Sequence, residues 1–276
     1  VNTIATISWL TFHEARRRRM VLAALLLGAA FVTLFALGVR LISGELTRTN
    51  APAIAIQQIY PFLLIAGLYV THFLTIMLTI FASVDTISGE IASHTIQTLV
   101  TKPVRRWQVL LGKWLGCAVM LLLYLALLAG GIVGVMWALV GYLPPNPLPG
   151  LLLLGLEALV LLSLSLLGGT RLSTLTNGVA LFMLYGVAFI GAWVEQIGAL
   201  FNSQSAVRVG IITSLLMPVE SLWRRASYLM QPAVTQGIPT PFTSASVPSA
   251  AMVWYAAAYA LVALLLALRA FSRRDL

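Results

Sequence analysis

Residues 108–140 read QVLLGKWLGCAVMLLLYLALLAGGIVGVMWALV, an apolar stretch broken by a single charge, Lys113. A helix of about 20 residues, rising 1.5 Å per residue, crosses the roughly 30 Å hydrocarbon layer of a bilayer. Lipid offers no partner to backbone N–H and C=O groups, so such a run must satisfy them internally as a helix. This stretch exceeds one crossing, so it is expected to tilt or to begin with an interfacial turn around Trp107.

Working outward, comparable runs cover residues 20–41, 61–84, 150–169, 178–201 and 251–271. Six spans put both termini on one side and define an all-α membrane protein. Of the 276 residues 60% are apolar and 9% charged, against about 25% charged in soluble domains. No segment outside the runs is long and patterned enough to form a soluble domain, so residues 1–276 are expected to be one membrane domain. Arg16, Arg17, Arg18 and Arg19, followed by Gly28, Ala29 and Ala30, have the look of a secretory signal, but the apolar run continues to Val39. That exceeds the 7–15 residues, roughly, of a cleavable core, and the segment reads as a retained first span.

The net charge of +9 does not indicate nucleic-acid binding, because the basic residues sit at the ends of apolar runs. Twelve of the 17 basic residues fall on one side: Arg16 to Arg19, Lys102, Arg105, Arg106, Lys113, Arg171, Arg269, Arg273 and Arg274. Arg40, Arg48, Arg208, Arg224 and Arg225 fall on the other. The positive-inside rule makes the first side cytoplasmic, which predicts a multi-pass protein of the cytoplasmic membrane with both termini inside. Tyr60, Trp107, Tyr142 and Trp254 fall near the interfaces. The single cysteine, Cys117, has no intrachain partner for a disulfide.

On the outer side, PPNPLPG (144–150) is a proline-punctuated turn. The long connection over 202–250 contains MPVESLWRRASYLM, residues 217–230. Val219, Leu222, Trp223, Ala226, Leu229 and Met230 recur at helical spacing, and Glu220 can pair with Arg224 across one turn. The segment is expected to be an amphipathic helix lying on the outer interface or dipping into it. Within the spans, Ala126, Gly130, Gly134 and Ala138 form a small-residue stripe expected to pack inside the subunit. Gly186 and Gly191 are expected to be packing glycines as well.

His72 lies near the middle of span two and Glu157 inside span four. A central charge costs about 2.5–3.5 kcal/mol on the insertion scale, so such groups face a cavity or a partner. They read either as lining a translocation path or dimer seam, or as a histidine bonded to a neighbouring helix and a glutamate reaching for the interface. Glu195 lies nearer the outer end of span five.

The most polar cytoplasmic stretch is SVDTISGEIASHTIQTLVTKPVRRWQVLLGKWLG, residues 83–116. A helix over 86–101 puts Glu90, Ser93, His94 and Gln97 within one arc. Lys102 and Pro103 would end it, since proline disfavours helical geometry in the residue before it. Read without further information, this is either a short helix on which a soluble partner pushes or a reinforced loop with a topology-setting basic cluster.

Ile87-Ser88-Gly89-Glu90, Thr95-Ile96, Leu99, Lys102-Pro103-Val104-Arg105-Arg106-Trp107 and Leu111-Gly112-Lys113-Trp114 resemble the signature between spans two and three of ABC-2-type permeases. His94, where that family commonly has glycine, and Val100, where leucine is frequent, depart from the pattern. The resemblance implies a type V exporter fold with an amphipathic elbow helix over Thr3 to Arg19, which sets Arg16 to Arg19 at the inner headgroups, and a coupling helix within 85–107. It implies that Glu90, His94, Gln97, Arg105 and Arg106 transmit ATPase motion. Two permease copies, as a homodimer or with a homologue, would pair with two separate ATPase subunits, which would hold the ATP and magnesium. The cargo under this resemblance is a drug, lipid, peptide, ion or polysaccharide.

The chain itself has no P-loop, since Gly112-Lys113 is followed by Trp114 and no glycine-rich loop precedes it. His13, His72 and His94 lack metal-ligand spacing, and no catalytic constellation stands out, so neither an enzyme nor a resident cofactor is expected. Two other readings fit the residues: a transporter driven by an ion gradient, with His72 and Glu157 exchanging protons, or a membrane scaffold without transport.

Overall fold

The computed structural model describes residues 3–17, 19–92, 105–236 and 246–273, and every regular element in them is a helix. In chain order these are α1 (Thr3–Arg17), α2 (Arg19–Arg48), α3 (Ala53–Ala92), α4 (Arg106–Val140), α5 (Pro147–Gly169), α6 (Thr174–Leu200), α7 (Gln204–Leu216), α8 (Val219–Met230), the single turn α9 (Ala233–Gln236) and α10 (Ala250–Ser272). Among them α2, α3, α4, α5, α6 and α10 are long and apolar enough to cross a membrane.

Local sequence explains several boundaries. The α4 helix starts at Arg106 without a separate turn at Trp107 and runs unbroken for 35 residues. It stops at Gly141, whose φ of 67° is the left-handed conformation that ends helices. The Gly141 N–H then reaches the Trp137 carbonyl, and the Tyr142 N–H reaches Met136. Pro147 opens α5, where its missing N–H removes nothing from the helix. The α3 helix begins at Ala53, ahead of the apolar run, and passes through Pro61 without ending.

At the centre stands α5, packed against α3, α4, α6, α8 and α10. Leu154, Leu161, Leu162 and Leu166 of α5 are buried. Outward faces stay apolar, with Leu26, Leu41 and Trp254 exposed, as suits helices solvated by acyl chains. The peripheral α2 meets α4 where Gly28 leaves room for Leu128. Nearby, the Tyr124 hydroxyl donates to the Ala24 carbonyl at 3.2 Å.

The small-residue stripe of α4 does not pack inside the subunit. A Cβ at Gly130 or Gly134 would meet nothing within 4 Å, and Ala126 and Ala138 are exposed. The larger residues Leu121, Tyr124, Leu128, Ile132 and Met136 form the inward face instead, and the stripe lies on the opposite side. Gly191 does pack, against Thr213 of α7, whereas Gly186 meets no neighbour.

Between α6 and α10 the chain makes a helical hairpin, with α7 and α8 bent by 105° at Met217–Pro218, the geometry of a broken span or a re-entrant loop. The α8 helix does not float on the surface: Val219, Leu222, Trp223, Ala226 and Met230 are buried, and so are the polar Glu220, Ser221, Arg224 and Ser227. It dips into the bundle, and its polar face needs partners there.

Candidate functional site

Those partners define the site. His72 of α3, Glu157 of α5 and Glu220 of α8 are 1%, 2% and 4% exposed and meet inside the bundle. The Nδ1 of His72 lies 2.9 Å from one Glu157 oxygen and 3.1 Å from the other. On the opposite edge of the ring, Nε2 stands 3.5 Å from Oε1 of Glu220, an ion-pair distance without hydrogen-bond geometry. Neither of those two atoms has a hydrogen-bond partner, nor does Oε2 of Glu157. Trp223 stacks on the imidazole with ring centroids 5.0 Å apart, and Tyr69 packs on Trp223 at 5.3 Å. Tyr185 of α6 is buried in the same core.

Chemically, this is one imidazole between two carboxylates, closed off from solvent within the protomer. Two hydrogens are needed for both ring edges to bond, so either His72 carries both or a carboxyl supplies one. Buried charges persist only when paired, so the three groups hold α3, α5 and α8 together. Among the described residues no group of His, Cys, Asp and Glu is arranged to hold a metal ion.

A second clamp fixes the hairpin. Arg224 reaches Glu195 of α6 through both terminal nitrogens, each at 2.9 Å, and donates to the Ser214 hydroxyl of α7 at 3.2 Å. The expected Glu220–Arg224 pair across one turn is therefore not formed. Both residues face different helices, because a buried ion pair gains more from rigid partners than from an adjacent turn. Where α7 stops, its last carbonyls find donors on α10. The Tyr255 hydroxyl donates to Leu215 at 2.6 Å and that of Tyr259 to Leu216 at 3.0 Å, which makes non-helical backbone tolerable there.

Below His72, α3 carries a buried hydroxyl ladder, Thr71, Thr75, Thr79, Ser83 and Thr86. Each donates to the carbonyl four residues back, satisfying its proton within the helix. The ladder ends beside Lys113. This lysine, counted from sequence among the charges of the cytoplasmic side, has a buried side chain, with Nζ 3.5 Å from the Thr86 carbonyl.

Gly112-Lys113-Trp114 thus knits α4 to three helices. A Cβ on Gly112 would fall 2.8 Å from Cβ of Ile7, so glycine is what admits α1. Lys113 ties α3, and Trp114 Nε1 donates to the Ser163 hydroxyl of α5 at 3.1 Å. One turn further, a Cβ on Gly116 would fall 2.6 Å from the Ser8 carbonyl oxygen.

Of the residues expected to transmit ATPase motion, Arg105 and Arg106 open α4. The Gln108 side chain accepts from the Arg105 N–H at 3.3 Å, half of a capping box. Glu90 belongs to α3, which runs through 86–92 as a continuation of the span. His94 and Gln97 lie outside the described residues. Arg16 and Arg17 end α1 and Arg19 starts α2, while Arg18 lies outside the described residues. From sequence, Glu220 was read only as a partner of Arg224 and Trp223 only as part of an apolar helix face, and the hydroxyl ladder went unassigned. For the ladder a signal existed, the recurrence of Thr or Ser at 71, 75, 79 and 83.

Six helices long and apolar enough to cross a membrane, packed around buried ion pairs, define a multi-pass membrane protein. The sequence model of a family described as ABC-2 family transporter protein matches residues 5–276, and the chain belongs to that family. It is a membrane permease of an ABC transporter, the transmembrane component that works with ABC ATPase subunits rather than a nucleotide-binding subunit itself. Comparison with curated proteins gave no match.

Proposed function

We propose that this permease drives export across the cytoplasmic membrane on ATP hydrolysed, with magnesium, by two separate ATPase subunits. Two permease copies enclose the path, and both termini are cytoplasmic. The observation that carries the reading is the course of α3. It is one helix from Ala53 to Ala92, so it continues as a stalk into the polar stretch that follows the apolar run ending at residue 84.

The stalk and the return through Arg105 and Arg106 form the coupling element, with Glu90, His94, Gln97, Arg105 and Arg106 meeting the ATPase. Its base is held by Lys113, Gly112 and Trp114, so a push on the stalk moves α3 with α4, α1 and α5. On the same helix, His72 faces Glu220 of the hairpin. Displacement at the cytoplasmic end therefore reaches α8 through the His72–Glu157–Glu220 cluster, which opens or closes the outer end of the path. The α1 helix serves as the elbow, with Arg16 to Arg19 at the headgroups. The outward small-residue stripe of α4 supports pairing with a second permease, since it lets another helix approach closely.

The test is purification of the tagged chain from native membranes, with native mass spectrometry of what accompanies it. A complex of two permease chains and two ABC ATPase subunits is expected. A chain that purifies without any ATPase subunit refutes the reading.

A further inference from the structure

An open cleft of about 870 Å³ lies between the turn joining α5 to α6 and the last turns of α10, lined among others by Arg171, Arg269, Arg273, Leu167, Leu172 and Leu266. Arg269 lies in the last turn of α10, Arg273 caps that helix four residues on, and Arg171 faces them from the turn. All three are exposed, and none has a carboxylate partner among the described residues. Uncompensated guanidinia in a concave setting suit a phosphate, which they can bind through two parallel N–H bonds.

The walls say what carries that phosphate. Leu172 and Leu266 are 39% and 48% exposed, and Leu266 continues into Leu265 and Val262 on the outward face of α10, 54% and 53% exposed. The cleft therefore opens onto a strip of apolar surface running along a membrane-spanning helix. A soluble phosphate or an acidic protein segment would leave that strip unused, whereas a phospholipid uses both halves. We infer that the cleft formed by Arg171, Arg269 and Arg273 binds the headgroup of an anionic phospholipid, whose acyl chains lie along Leu266, Leu265 and Val262 of α10. The basic ends of spans are where such headgroups are recognised.

The inference is tested by native mass spectrometry of the full-length chain from micelles containing equal amounts of phosphatidylglycerol and phosphatidylcholine. Wild type is expected to retain phosphatidylglycerol selectively. The triple variant Arg171→Gln, Arg269→Gln, Arg273→Gln should lose at least about tenfold in apparent affinity, the three charges each contributing to attraction. A matched variant, Arg40→Gln, Arg48→Gln, Arg208→Gln, removes three charges at the opposite end and should retain the lipid as wild type does. Leu266→Ser should weaken retention while leaving all three arginines. Equal retention by wild type and the first variant overturns the inference, as does equal loss in both triple variants. Displacement of the lipid by inorganic phosphate or polyglutamate at matched charge would mean a site for a soluble anion and would equally overturn it.

Discussion

Oε1 of Glu220 stands 3.5 Å from Nε2 of His72, so α8 is paired with the same helix, α3, that runs on to Ala92. Nδ1 of that imidazole engages Glu157, which ties both to the central α5.

Removing one member of such a buried set strands the others, at a cost of about 3–5 kcal/mol. Glu220→Ala should therefore unseat α8 before it disturbs the remaining spans. Ser227, 1% exposed on α8, reports this as Ser227→Cys. Maleimide should leave it unlabelled in the otherwise unaltered protein and modify it when Glu220→Ala is added. Equal protection in both would show that Glu220 does not hold the helix.

Arg224 and Glu195 form a bidentate pair, so their substitutions should not add. In thermal or denaturant unfolding, Arg224→Ala and Glu195→Ala should each destabilise. The double variant should recover a coupling of about 2 kcal/mol relative to their sum. An additive cycle would mean that each residue acts through other contacts.

Gly116 separates α4 from the backbone of α1, with the Ser8 carbonyl oxygen where a Cβ would go. Backbone cannot rotate aside, so Gly116→Leu should lift α1 from α4 and cost about 1–3 kcal/mol by overpacking. Thr11, buried on α1 and introduced as Thr11→Cys, should resist maleimide with Gly116 intact and react with leucine there. Unchanged protection would show that α1 is held elsewhere.

Trp114 donates to Ser163, one of the ties at the base of the stalk. Trp114→Phe keeps the ring and deletes the donor, with an expected loss of about 1 kcal/mol in unfolding free energy. Ser163→Ala should cost a similar amount, and the two together little more than either.

The bundle was largely legible in the sequence because hydrocarbon imposes a length and a polarity on each span, and both survive in the residues 20–41 or 251–271. The hairpin was legible as a helix but not in its depth. Residues 219–230 carry the same amphipathic period whether the helix lies on an interface or enters the bundle. What distinguishes the two is the presence of buried counter-charges. Those lie far away in the chain: Glu195 is 29 residues from Arg224, and His72, on α3, is separated from Glu220 on α8 by four helices. The rule for adjacent turns pointed to a Glu220–Arg224 pair because only local spacing is visible in a sequence. The burial of Lys113 was hidden for a related reason. A lysine near the start of an apolar run is legible as a topology charge, but the Thr86 carbonyl that its ammonium reaches is 27 residues away.

ATP hydrolysis by the complex of this chain with its ABC ATPase subunits, in lipid nanodiscs, tests the central claim most directly. Wild type is compared with Glu90→Ala and Arg106→Ala, and with Arg208→Ala as a control at the opposite end. The account predicts that the complex assembles, that the first two substitutions lower or uncouple hydrolysis by several-fold, and that the control matches wild type. Hydrolysis unchanged by Glu90→Ala and Arg106→Ala in an assembled complex would contradict the assignment of this segment as the coupling element.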